Sequence, residues 1–131
     1  MTTPHRQSLD VLIVEDNALI ALELQLLIEE FGHRCVGSFA RSTLALEAAR
    51  VSQPDVGLID LNLADGRTGG MVVRKLKESG IPSVVISGEA RHTLETQDAR
   101  VVLEKPLRVE ALKKVLDEIA AEVSSSGQSV E

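Results

Sequence analysis

Short apolar runs that break off at polar or charged residues constrain this 131-residue chain more than any other feature. Leu9-Asp-Val-Leu-Ile-Val14 stops at Glu15-Asp16-Asn17. Asp55-Val-Gly-Leu-Ile-Asp-Leu61 carries Asp60 near its end, and the stretch Gly80 to Gly88 contains Val84-Val-Ile86 followed by Ser87. Val101-Val-Leu103 gives way to Glu104-Lys105-Pro106, and Arg34 to Phe39 forms a weaker run. Segments this short and this apolar read as strands buried on both faces. Between them lie helical stretches. Ala18 to Phe31 is closed by Gly32, Ser42 to Val51 is stopped by Gln53-Pro54, and Met71 to Ser79 follows a glycine-rich loop. Leu107 to Val123 repeats Val109, Leu112, Leu116, Ile119 and Val123 at helical spacing. The alternation predicts an α/β fold, a doubly wound (βα)5 arrangement whose five-stranded parallel sheet lies between two helical layers. Residues 9–123 make the domain, with a flexible leader at 1–8 and a flexible tail at 124–131.

Composition removes several classes of function. Asp and Glu number 20 against 14 Lys and Arg, a net charge of −6, which opposes binding to a phosphate backbone. Phe31 and Phe39 are the only aromatics, so no base-stacking platform exists, and nucleic acid is excluded as a partner. The longest apolar candidate for a membrane span is interrupted by Glu23 and Gln25, and Met1 to Asp10 has no apolar signal segment. The single cysteine, Cys35, reads as a small core residue in a protein of the reducing cytoplasm.

In doubly wound sheets ligand chemistry gathers at the carboxyl ends of the strands, near the point where strand order reverses. Glu15, Asp16, Asp60, Ser87 and Lys105 all stand at such ends. Three clustered carboxylates repel one another unless they share a cation. With no Cys or His placed beside them, an oxygen-liganded Mg²⁺ suits the set better than Zn²⁺. The plain alternative is that the acids cap helix N-termini at exposed loops. It accounts for Asp16 taken alone but leaves Lys105 unexplained.

The runs Val14-Glu15-Asp16-Asn17, Leu58-Ile-Asp-Leu-Asn-Leu63, Val85-Ile-Ser-Gly88 and Glu104-Lys-Pro106, taken in order, resemble the response-regulator receiver domains of two-component signalling. The resemblance spans about residues 9–123 and implies the flavodoxin-like receiver architecture. It makes Asp60 the phosphoacceptor, with Glu15, Asp16, Asp60 and the backbone carbonyl of Asn62 holding Mg²⁺. Ser87 and Lys105 then meet the phosphoryl group, and the Lys105–Pro106 bond is cis. Residue chemistry agrees: phosphoryl transfer needs in-line positioning and charge neutralisation, and a carboxylate nucleophile suffices with a reactive phosphohistidine donor. Asn62 and Glu89 occupy positions that tune aspartyl-phosphate lifetime in such domains, and their polar side chains imply a short-lived phosphoryl state.

The chain departs from that pattern in four places. The position three before the lysine, where the family carries a switch aromatic, is Val102. Lys105 follows Ser87 by 18 residues, about one helical turn less than is usual, and Glu89 to Asp98 is polar. The fourth helix is therefore expected to be short or mobile. Ala64 replaces a customary proline, and Asp65-Gly-Arg-Thr-Gly-Gly70 is a glycine-rich loop. All four bear on output rather than on phosphoryl chemistry.

On the first helix, Ile20, Leu24, Leu27 and Phe31 fall on one face at about 100° per residue, while Leu19, Leu22 and Leu26 fall opposite. This second stripe is either covered by another element or left open to dock a histidine kinase or histidine phosphotransferase. His5, His33 and His92 share no ligand spacing and read as surface residues. The leading reading is a single-domain response regulator, monomeric or weakly dimeric, that signals to a downstream protein target rather than acting as an enzyme. A phosphate shuttle or sink is one alternative, and an unphosphorylated interaction module is another. A phosphatase lacks an evident general acid and cap. Flavin binding lacks the ring-sandwiching aromatics.

Overall fold

The protein is described from a computed structural model, which covers residues 8–88 and 94–128. Five strands, β1 (Asp10–Val14), β2 (Arg34–Phe39), β3 (Val56–Ile59), β4 (Ser83–Ser87) and β5 (Val101–Glu104), form one parallel sheet in the order β2-β1-β3-β4-β5. Four helices lie among the described residues: α1 (Ala18–Glu30), α2 (Ser42–Ser52), α3 (Gly69–Glu78) and α4 (Val109–Gln128). The doubly wound, three-layer reading of the sequence is borne out. None of these helices is long and apolar enough to cross a membrane.

Side chains alternate across the strands and divide the interior in two. Val11, Ile13, Leu58, Val84 and Ile86 pack with Leu24 and Ile28 of α1 and Leu112, Leu116 and Ile119 of α4. Leu12, Val14, Ile59 and Val85 point the other way, onto Ala45 and Ala49 of α2 and Val72, Val73 and Leu76 of α3. Each buried leucine, isoleucine or valine contributes about 1.5–3 kcal/mol, so both faces are held mainly by aliphatic packing, with Phe31 and Phe39 only partly buried against them.

Local chemistry sets the helix ends. Asn17 Oδ1 accepts hydrogen bonds from the amides of Leu19 and Ile20 and caps α1. Gly32, at φ 94°, turns the chain out of that helix, and Gln53 takes a left-handed conformation at the end of α2 just before Pro54. At the start of α2 the cap comes from far along the chain. The Asp65 carboxylate accepts from the Ser42 amide and, at 2.6 Å, from its hydroxyl, while also accepting from Thr68 Oγ1. These bonds, the Ser42 hydroxyl first among them, lower the Asp65 pKa to about 2.

Several expectations are corrected. The buried stripe of α1 centres on Ala21, Leu24 and Ile28, with Ile20, Leu27 and Phe31 only partly buried beside it, a rotation of the face read from the sequence. His33 is buried, not at the surface, because its Nδ1 accepts the Leu9 amide at 3.0 Å where β1 begins. No helix forms at 94–98, which are turns that bury Thr96; residues 89–93, and with them Glu89 and His92, lie outside the described residues. Helix α4 runs on to Gln128 instead of ending at Val123, and all of the expected leader except Ser8 lies outside the described residues. Cys35 is half-buried against the α1 face, and burial pushes its thiol pKa up.

Asp65 titrates below an ordinary carboxylate, so its stabilising contribution is complete above about pH 4 and is lost as the pH falls through about 2. Asp65→Asn will therefore melt below the wild type at neutral pH. The difference in melting temperature, followed by circular dichroism, will narrow between pH 4 and pH 2.

Candidate functional site

Strand order reverses between β1 and β3, and the polar residues of the strand ends meet there. Sheet hydrogen bonds fix their backbones. The Glu15 amide donates to Phe39 O at 2.9 Å, the Asp60 amide to Val14 O at 2.9 Å, and the Lys105 amide to Ser87 O at 2.9 Å. Each residue is thereby hung from the strand beside it. The Lys105–Pro106 peptide is cis, as the resemblance implied.

Glu15, Asp16 and Asp60 each offer a carboxylate oxygen within 4.8 Å of the other two. Glu15 and Asp60 are buried, whereas Asp16 is exposed at the mouth. Lys105 Nζ lies 3.1 Å from Asp60 Oδ2 and 3.7 Å from Glu15 Oε1. The Asp60 Oδ1 atom accepts the Asn62 amide at 3.0 Å, and Glu15 Oε2 accepts the Asn17 amide at 3.1 Å. Ser87 is buried at the end of β4, next to Glu104 in register.

The electrostatics show how crowded the acids are. Burial, reinforced by a hydrogen bond and charge repulsion from Asp60, raises Glu15 to about 7, despite the lowering effects of the Asn17 amide and Lys105. Burial works against the Lys105 ammonium, yet the Asp60 hydrogen bond and the charges of Asp60 and Glu15 outweigh it and hold its pKa above the ordinary lysine value. One ammonium balances only part of three carboxylates. The remaining charge and the all-oxygen donor set fit a hard divalent cation.

The capping alternative does not account for the acids. Asn17 caps α1, and no side-chain hydrogen bond from Thr68 caps α3, so none of the three carboxylates serves a helix end. The site's back wall is close. Gly69 has no room for a side chain, since a β-carbon there would run into the Asp60 carbonyl oxygen and Leu61 Cα. Val102 is half-buried on the α2–α3 side of β5. Leu19, Leu22 and Leu26 are 66%, 51% and 57% exposed, so nothing among the described residues covers them. Of the three, Leu26 also lines a cleft of about 780 Å³ between α1 and the β5–α4 loop, with Leu27, Ile86, Pro106, Leu107 and Val109 among others.

Residues 11–117 match the response regulator receiver domain. The chain belongs to that family. It is 31% identical over 113 residues to the phyllosphere-induced regulator PhyR of Methylorubrum extorquens, covering 83% of this chain and 42% of that protein. It is 33% identical over 79 residues to the two-component response regulator PprB of Pseudomonas aeruginosa, covering 60% and 28%. The chain thus spans less than half the length of these relatives. Among solved structures, the receiver domain of PhyR from Erythrobacter litoralis superimposes with a TM-score of 0.78 at 28% identity, covering 86% of this chain and 90% of that one. A CheY-like receiver domain from Methylobacillus flagellatus gives 0.76 at 29% identity, over 86% and 98%.

Two contacts near the site had no signal in the sequence. Asp65 reaches Ser42 across 23 residues, and Arg67 reaches Glu95 across 28. Gly69→Ala carries a sharper expectation. The added methyl group has only backbone to displace, so the variant will lose about 1–3 kcal/mol in urea unfolding. Its Asp60–Asn62 amide resonances will shift more than those of β2.

Proposed function

We propose that this receiver domain accepts a phosphoryl group on Asp60 from a phosphohistidine donor in a Mg²⁺-dependent reaction and signals by protein contact. The Lys105 ammonium 3.1 Å from Asp60, with Glu15 and Asp16 converging on the same carboxylate, carries this reading. An Asp60 oxygen attacks phosphorus, the O–P bond forms, and the N–P bond breaks with its electron pair returning to the donor imidazole. Lys105 neutralises charge on the moving group and the Ser87 hydroxyl donates a hydrogen bond to it. Glu15, Asp16, Asp60 and the Asn62 carbonyl are the residues that would hold Mg²⁺, which supplies further charge neutralisation when bound. Burial of Asp60 keeps water away from the acyl phosphate, and the exposed Asn62 side chain stands where it affects hydrolysis.

The exposed Leu19, Leu22 and Leu26 on α1 form the docking surface for the helical domain of a kinase or phosphotransferase. Leu26 shares a cleft with the Lys105-Pro106-Leu107 loop, which joins this face to the acceptor site.

Incubated with acetyl phosphate and Mg²⁺, the wild type will take up one phosphoryl group by intact mass, and Asp60→Asn none. Label on the Asn variant would reject the acceptor assignment. Leu22→Lys will label normally from acetyl phosphate but slow transfer from a phosphorylated kinase by about tenfold or more, the loss of roughly 1.4 kcal/mol of docking energy. Equal rates with the kinase would remove α1 as the docking surface.

A further inference from the structure

Arg67, in the loop between β3 and α3, joins the acceptor region to the β4–β5 connection. Its guanidinium makes a paired contact with the Glu95 carboxylate, Nε to Oε2 at 2.6 Å and Nη2 to Oε1 at 2.9 Å. On its other side Nη1 donates to Asn62 Oδ1 at 3.3 Å. The Asn62 amide in turn donates to Asp60 Oδ1. Lys105 bonds the opposite oxygen, Oδ2, so the Oδ1 side of Asp60 faces Asn62, the residue whose side chain Arg67 holds. The connection also rests on α3 itself. A β-carbon at Gly70 would stand 3.0 Å from the Glu95 carbonyl oxygen and 3.2 Å from its Cβ.

Taking Asp60 as the phosphoacceptor, we propose that Arg67 is the positioning residue that carries the phosphorylation state of Asp60 to the surface. On phosphorylation it leaves Glu95 for the phosphoryl oxygens, and the turn at 94–98 is released from α3. An aspartyl phosphate adds negative charge and acceptor oxygens where a carboxylate stood, and the arginine fork matches phosphate in paired geometry. The partner it gives up is open to solvent, the Arg67 and Glu95 side chains being 41% and 36% exposed, so water can take over the Glu95 carboxylate as the guanidinium leaves. This exchange does without an aromatic at Val102, which stays packed against the α2–α3 face.

Amide hydrogen exchange over 94–100, with intact mass recording phosphorylation, tests the proposal. The full chain is held with Mg²⁺ and excess acetyl phosphate, from which the Asp60 oxygen takes the phosphoryl group as acetate leaves with the P–O bonding pair. In the wild type, labelling will speed exchange of these amides about two- to fivefold, as expected for loss of an exposed ion pair. Glu95→Gln will exchange at the faster rate before labelling and change little after it. Arg67→Ala will show no labelling-dependent change, and Arg67→Lys, without the fork, only part of it. A pair that merely braces the loop would raise exchange in both variants yet leave the wild type indifferent to labelling. That result overturns the proposal, as does an Arg67→Ala chain that keeps the wild-type response. Failure of the wild type to label at Asp60 is a separate outcome, which overturns the acceptor reading and this proposal together.

Discussion

Crowding Glu15, Asp16 and Asp60 within 4.8 Å of one another is unfavourable, and burial, with repulsion from Asp60 added to it, raises Glu15 to about 7. Such a cluster persists only if the chain has no easy way to spread it. Here the spreading is blocked by the sheet. Glu15 and Asp60 sit one residue beyond adjacent parallel strands, and each amide is bonded to the carbonyl of its neighbour. The strands are in turn clamped between two aliphatic layers, so the Glu15 and Asp60 backbones cannot separate without pulling β1 or β3 out of a buried core. Lys105 relieves part of the repulsion from the same sheet, its amide tied to Ser87.

That logic explains why so much was legible in the sequence. A strand buried on both faces must be a short apolar run, and the residue that ends it must face the loops. The run and its polar stop therefore announce a strand and a site residue at once. For this reason the strands ending at Val14 and Ile59 are legible, and Glu15, Asp16 and Asp60 at their ends do come together. The Cβ periodicity that divides the interior between Val11, Ile13 and Leu12, Val14 follows from the pleat alone.

The features that escaped the sequence depend on encounters between distant segments. His33 looks like a polar residue after a helix-ending glycine, but the Leu9 amide needs an acceptor there, and its ring is drawn inside. The α1 stripe is hard to place from sequence because Ala18 to Leu22 are all apolar and leucines or isoleucines recur on every side of the helix. Which face turns inward is settled by α4 and the sheet, not by periodicity. Asp65 and Arg67 looked like polar members of a glycine-rich loop. In the fold, one caps α2 and the other grips the β4–β5 connection. Long-range pairs of charged residues leave no local pattern to read.

These misread contacts share a property that bears on signalling. A response to a new phosphoryl group has little free energy to work with, and it must move something held by comparably little. The face under α1 and α4 is held by fully buried leucines and isoleucines worth about 1.5–3 kcal/mol each, and it will not yield. The β4–β5 connection is different. It is fastened by the buried Thr96, by contact with Gly70, and by ion pairs of Glu95 with Arg67 and of Asp98 with Lys77, both partly exposed. A single-contact exposed pair such as Lys77–Asp98 contributes about 1 kcal/mol or less, and solvent competes for both pairs. Such fastening at 94–98 makes these turns the part of the described domain that the proposed change of charge at Asp60 has least to overcome in moving. The absence of an inward-turning aromatic at Val102 is then no obstacle. A core residue that rotates is needed when the output surface is fastened by packing alone, whereas here ion pairs share that fastening with Thr96, Ala99 and the contact at Gly70.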